Sequence, residues 1–165
     1  MKNIPEFISA AVKNEPDYSK SFSKKIAALA QSIKKLINLE VSHGESMDYC
    51  PAQYIEINLK DQINHSPKTN FEIRFYISSK AELFFIYIND KTGKIKNHHE
   101  ISHPLSPEIL PETAKNIILK IKKFLIENSY QEVLYEYYDQ EAAGYLTQMD
   151  GLRANIFEAL FAEIV

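Results

Sequence analysis

The sequence predicts an α+β fold: an antiparallel sheet of about four strands in a meander, flanked by N-terminal and C-terminal helices. Three observations carry this expectation. Phe71, Ile73, Phe75 and Ile77 alternate with Glu72, Arg74, Tyr76 and Ser78, the two-residue period of a half-buried strand. Residues 83–88, Leu-Phe-Phe-Ile-Tyr-Ile, are apolar at every position, as an interior strand covered on both faces requires. Before Tyr54 and again after Pro107, the apolar period is helical instead.

Taken in order, Ile4, Phe7, Ile8, Ala11 and Val12 fall on one face of a short helix, with Asn3 as its cap and Glu6 three residues on. Pro16 breaks it. Phe22, Ile26, Leu29, Ile33 and Leu36 then recur at spacings of 4, 3, 4 and 3, a sustained stripe with lysines over the remaining surface. Such a stripe packs on a sheet of the same domain; a coiled coil is the second reading. The lysines form a solvated face, since the aromatic and arginine partners of a nucleic-acid groove are lacking. Residues 43–51 read as a loop. Strands are predicted over residues 53–60, 70–78, 82–89 and 94–101. A polar connection fills residues 61–69, and Asp90, Lys91, Thr92 and Gly93 form a hairpin loop with Gly where a positive φ is needed.

Beyond the meander, Ser106, Pro107 and Glu108 start a single helical turn. Pro111 opens a helix to about Asn128 whose inner face is Ala114, Ile117, Ile118, Ile121, Phe124 and Leu125. Residues 130–143 carry two opposed signals. Val133, Tyr135, Tyr137 and Tyr138 are strand-type residues. Ser129 with Glu132 makes a capping box, and Ala142 and Ala143 before Gly144 make a helix end. The sequence is read as helix there. A last helix, capped by Thr147 or Asp150, would carry Leu152, Ile156, Leu160 and Ile164 in one stripe, widened by Phe157 and Phe161.

A chain of 165 residues with no repeat, low-complexity tract or linker is read as one domain spanning 1–165. No apolar run approaches a membrane span and no leader-like start is visible; with a lone Cys50, this points to a reducing cytoplasm. The formal net charge is −3, unevenly distributed. Residues 124–165 hold eight acids and one base, a balance of −7 that leaves +4 on residues 1–123. An acidic end with interleaved tyrosines repels nucleic acid and attracts basic proteins.

No catalytic constellation emerges. His98, His99 and His103 with Glu100 are the nearest approach to a metal cluster, yet adjacent strand residues point to opposite faces and cannot share an ion. Cys50 has only His43 nearby in sequence and no local positive field to activate it. Four glycines supply no phosphate-cradling motif, and no nucleophile elbow or His-Glu-x-x-His is present. The expectation is therefore no enzyme, metal, cofactor or membrane, and a protein partner instead. On a helix over 130–143, Glu132, Tyr135, Glu136 and Asp139 share one face, Tyr137 and Glu141 lean to the other, and Tyr138 sits between. These seven are the candidate partner-binding residues: rings supply contact area and carboxylates guide a basic partner inward. The plainer alternative is a solvated acidic face with tyrosines at the rim of the core.

In general build the chain resembles immunity proteins of bacterial polymorphic toxin systems, those of contact-dependent growth inhibition being the nearest type. The likeness rests on helices before and after the strands at 54–59, 71–77 and 83–88, with 132–141 as a docking surface. It implies an inhibitor of one cognate toxin, in such systems often a nuclease, that covers its active site or another essential surface; against a basic nuclease site the carboxylates would stand where phosphates bind. No functional residue is carried over, and the oligomeric state stays open. Type III secretion chaperones resemble the chain in size and mix of elements, with the stripe from Phe22 to Leu36 as dimer or client helix. An enzyme without a recognisable motif is the third class.

Overall fold

The computed structural model describes residues 3–45, 50–59, 71–90 and 104–163. In chain order the elements are α1 (Glu6–Val12), α2 (Lys20–Ile37), β1 (Val41–Glu45), β2 (Ala52–Ile57), β3 (Phe71–Ser78) and β4 (Leu83–Asp90). A 3-10 turn (Pro107–Ile109), α3 (Glu112–Glu127), β5 (Gln131–Glu132) and a second 3-10 turn (Tyr135–Tyr137) follow, then β6 (Glu141–Leu146), β7 (Arg153–Asn155) and α4 (Ile156–Leu160). The main sheet runs β1-β2-β3-β4-β5, antiparallel through β4 and parallel at the two-residue β5; β6 and β7 pair apart from it.

β4 is the interior strand that its composition demands. Phe84, Ile86 and Ile88 enter one core with Ile55, Ile57, Ile73, Phe75 and Ile77, covered by α2 and α3. Leu83, Phe85 and Tyr87 enter a second core on the other face, with α1, α4 and the β6–β7 region. Helices on both faces of one sheet make three layers. Phe75, Phe84, Phe85 and Phe161 are among the largest side chains with under 2% exposure. Each such burial stabilises by about 1.5–3 kcal/mol. An exposed pair such as Glu141–Arg153, at 3.4 Å with side chains 52% and 79% exposed, is worth about 0–1 kcal/mol, so the two cores dominate.

α2 and α3 occupy the spans their periodicity predicts. Ser19 caps α2 by accepting from Phe22 N–H, and Asn38 ends it in the left-handed region at φ 53°. Phe22, Ile26 and Ile33 are buried against the sheet, while Leu36 at the end of the stripe is 44% exposed. Ser106 caps the predicted turn at Pro107. The charges divide with the layers: α2 carries five lysines and no acid, and α3 four lysines and two glutamates. The acids from Glu136 to Glu163 belong to the layer on the opposite face.

Several expectations are corrected. Pro5, not Asn3, precedes α1, and no side chain caps it. Residues 41–45, read partly as loop, form the edge strand β1. Its Gly44 lies opposite Tyr54, where a Cβ would stand 2.8 Å from the Tyr54 hydroxyl oxygen. Glycine lets that ring cover the strand, and the missing side chain is what made β1 illegible. The helix over 130–143 is absent. Ser129 takes φ 72° in the turn that ends α3, and the chain then pairs with β4 as β5 before turning into β6. The last helix is only Ile156–Leu160, capped reciprocally by Asn155 and Glu158 rather than by Thr147 or Asp150. The predicted strand at 94–101, the connection at 61–69 and the loop after Asp90 lie outside the described residues.

Candidate docking surface

The segment from β5 to α4 is held by backbone pairing at each end. Gln131 N–H donates to Glu82 O at 2.9 Å and Val133 N–H to Phe84 O at 2.8 Å, which fixes β5 along β4. Further on, Ile156 N–H donates to Gln140 O at 2.8 Å and Phe157 N–H to Tyr138 O at 3.0 Å. Between these anchors the predicted partner-binding residues divide by environment.

The three tyrosines face inward more than outward. Tyr135 is half-buried, its hydroxyl donating to Pro104 O at 3.0 Å and its ring centroid 5.2 Å from that of Tyr138. Tyr137 and Tyr138 are half-buried against the second core, Tyr138 lying 6.3 Å from Phe85 between centroids. Glu132 is tied at 2.6 Å to Lys122 of α3. Glu136, Asp139 and Glu141 are exposed, Glu141 beside Arg153. The structure thus keeps three of the four carboxylates outward and places the rings at the core rim.

What the sequence reading missed is the turn between β6 and β7. Leu146, Met149 and Leu152 are 57%, 50% and 66% exposed there, and Leu134 upstream is 42% exposed. The backbone beneath them is pinned. The Glu163 carboxylate, 7% exposed, accepts from Gln148 N–H and, at 3.1 Å, from Met149 N–H. Thr147 N–H donates to Leu152 O at 2.8 Å and Gly151 N–H to Thr147 O at 3.1 Å, with Gly151 at φ 70°. The Asp150 carboxylate accepts from the Thr147 hydroxyl and, at 3.0 Å, from Leu152 N–H. Those two bonds hold its pKa below the usual aspartate value. A signal for this turn stood in the sequence: Asp150 followed by Gly151 is a hairpin dipeptide. It was overridden because Leu152 fits a helical stripe with Ile156 and Leu160.

A second charged group lies on the sheet face that also bears Tyr76. The Arg74 guanidinium reaches Glu72 at 2.7 Å and Glu56 at 3.2 Å, and lies 4.0 Å from the Tyr54 ring centroid. Its charge is matched from three sides, so it reads as a strut across β2 and β3. Among the described residues no group of three or more His, Cys, Asp or Glu could hold a metal ion, and no helix is long and apolar enough to cross a membrane. His98, His99 and His103 lie outside those residues. His43 sits in β1, and Cys50 is buried. No protein-family model matches the chain, and neither does any curated protein or solved structure.

Proposed function

We propose that the protein binds a basic partner protein and neutralises it, as an immunity protein neutralises its toxin. The observation that carries this reading is the pinned turn between β6 and β7. It displays Leu146, Met149 and Leu152 on a backbone fixed from below by Glu163. Apolar side chains held outward at an ordered turn are costly in water unless something covers them, and their ordering is complete before a partner arrives. Glu136, Asp139, Glu141 and Asp150 are exposed in the same segment, which favours a partner of opposite charge and a fast encounter. The apolar residues would form the buried centre of the contact and the carboxylates its rim. A single cysteine in the sequence suits a reducing cytoplasm as the place of action.

The test is binding of the purified protein to the product of a toxin-like gene beside its own, across a salt series. Reversing Glu136, Asp139 and Glu141 to lysine together should slow association about tenfold at low salt, with less effect at high salt. Leu152→Ala should instead speed dissociation about tenfold or more, leaving the fold intact because the side chain is exposed. Unchanged kinetics in both variants would place the interface elsewhere.

A further inference from the structure

Lys80 lies in the tight turn between β3 and β4, yet it is only 6% exposed. Its Nζ donates to Val12 O, at the end of α1, at 3.1 Å and stands 4.1 Å from the Tyr145 ring centroid. Among the described residues it joins no ion pair. An ammonium has three protons to place, and a charge withdrawn from water is costly without a counter-charge. Burial accordingly pushes its pKa down, with Glu15 acting weakly the other way. The group opens onto a groove of about 630 Å³ between the α1–α2 connection and β6, within the size range of small-ligand pockets. Pro16, Tyr18, Ala143 and Tyr145 give the groove apolar and aromatic walls, and Asn14 and Gln148 supply amides.

We propose that this groove binds a small organic monocarboxylate with an apolar or aromatic body, the carboxylate completing the coordination of Lys80 Nζ. The body lies against Tyr18, Pro16 and Ala143, and a carboxylate oxygen takes the donor capacity that Val12 O and the Tyr145 ring leave unused. Lys13 and Glu15 also line the groove and offset each other, so Lys80 carries its one uncompensated charge, which matches a single carboxylate. This site borders the docking turn at Gln148 but differs from it in what it offers: its floor is Lys80, not the exposed Leu146, Met149 and Leu152.

Benzoate is the probe. Titrated into the full chain and followed by amide chemical shifts, it should saturate and move signals of residues 13–18, 80 and 143–148. Benzamide, of the same shape without the charge, should bind about tenfold more weakly or worse, the scale of a lost charge-assisted bond. Inorganic phosphate should bind more weakly than benzoate. Lys80→Met should abolish binding. Because that change also removes the bond to Val12 O, Ala143→Trp serves as the second variant: it fills the groove from an exposed position and should weaken benzoate by a similar factor with unchanged circular dichroism. Non-saturating shifts, equal binding of benzamide, or wild-type affinity in Ala143→Trp would each overturn the proposal.

Discussion

Tyr130 is buried for its ring and not for its hydroxyl. The residue is 4% exposed within the core under α2 and α3, with Lys25 Nζ 5.5 Å from the ring centroid. Its hydroxyl oxygen makes no hydrogen bond of full geometry among the described residues; Lys25, whose pKa it helps to raise, faces it only loosely. A buried polar atom left unmatched costs on the order of 1–3 kcal/mol, and removing it refunds part of that cost. Tyr130→Phe should therefore raise stability by about 1 kcal/mol, read as a higher urea midpoint at unchanged slope. A lower midpoint would mean that the hydroxyl is matched in solution. Arg74 is the opposite case, matched by Glu56, Glu72 and the Tyr54 ring, and Lys80 lies between the two. Burial alone says little about a polar side chain; the number of its partners decides whether it is a strut, a defect or a receptor.

At the scale of elements, the β6–β7 hairpin depends on one buried carboxylate. Glu163→Ala would leave Gln148 and Met149 N–H without their acceptor. Loss of hydrogen bonds to a charged group costs about 1.5–3 kcal/mol, less where water re-enters. Amide exchange over 147–152 should accelerate while the sheet stays protected, and dissociation from a bound partner should quicken. Equal protection of that turn in the variant would show that Glu163 does not hold it. The same segment marks the limit of what sequence showed. α2, α3 and β2 to β4 were legible because each carries a sustained apolar period and is buried on the face that period defines. From residue 129 onward the local helix signals at Ser129, Glu132 and Gly144 conflicted with the strand-type residues between them. Pairing of β5 with the edge of β4 decided the outcome, and a partner strand over forty residues away leaves no local mark. The acids of the candidate surface were visible as composition. Its apolar turn was not, because Leu152 matched a helical stripe that the fold does not use.

The whole molecule is a sheet with a core on each face, and the two cores are unlike. One is aliphatic, built from Ile26, Ile33, Ile55, Ile73, Ile77 and Ile121 around Phe75 and Phe84. The other is aromatic, with Phe85 5.2 Å from Phe157 and 6.0 Å from Phe161 between centroids, and Tyr76 edge-on to Phe157. β4 contributes alternate residues to both, so the layers share one strand and neither is expendable. The lysines of α2 and α3 stand over the first core, and the carboxylates from Glu136 to Glu158 over the second. Among the described residues, the helix lysines and these carboxylates are thus held apart by the sheet and its two cores, a charge separation with its axis running through the sheet. A net charge of −3 conceals this. In the field of a charged surface such a molecule feels a torque before it feels contact, and it turns one chosen face forward. It should be retained at pH 7 and low salt by cation and anion exchangers alike, despite a pI of about 6.0, through opposite faces. Replacing Lys20, Lys24, Lys34 and Lys35 with glutamine should weaken retention on the cation exchanger alone; an equal loss on both resins, or on neither, would show that the charges do not act as two separated poles.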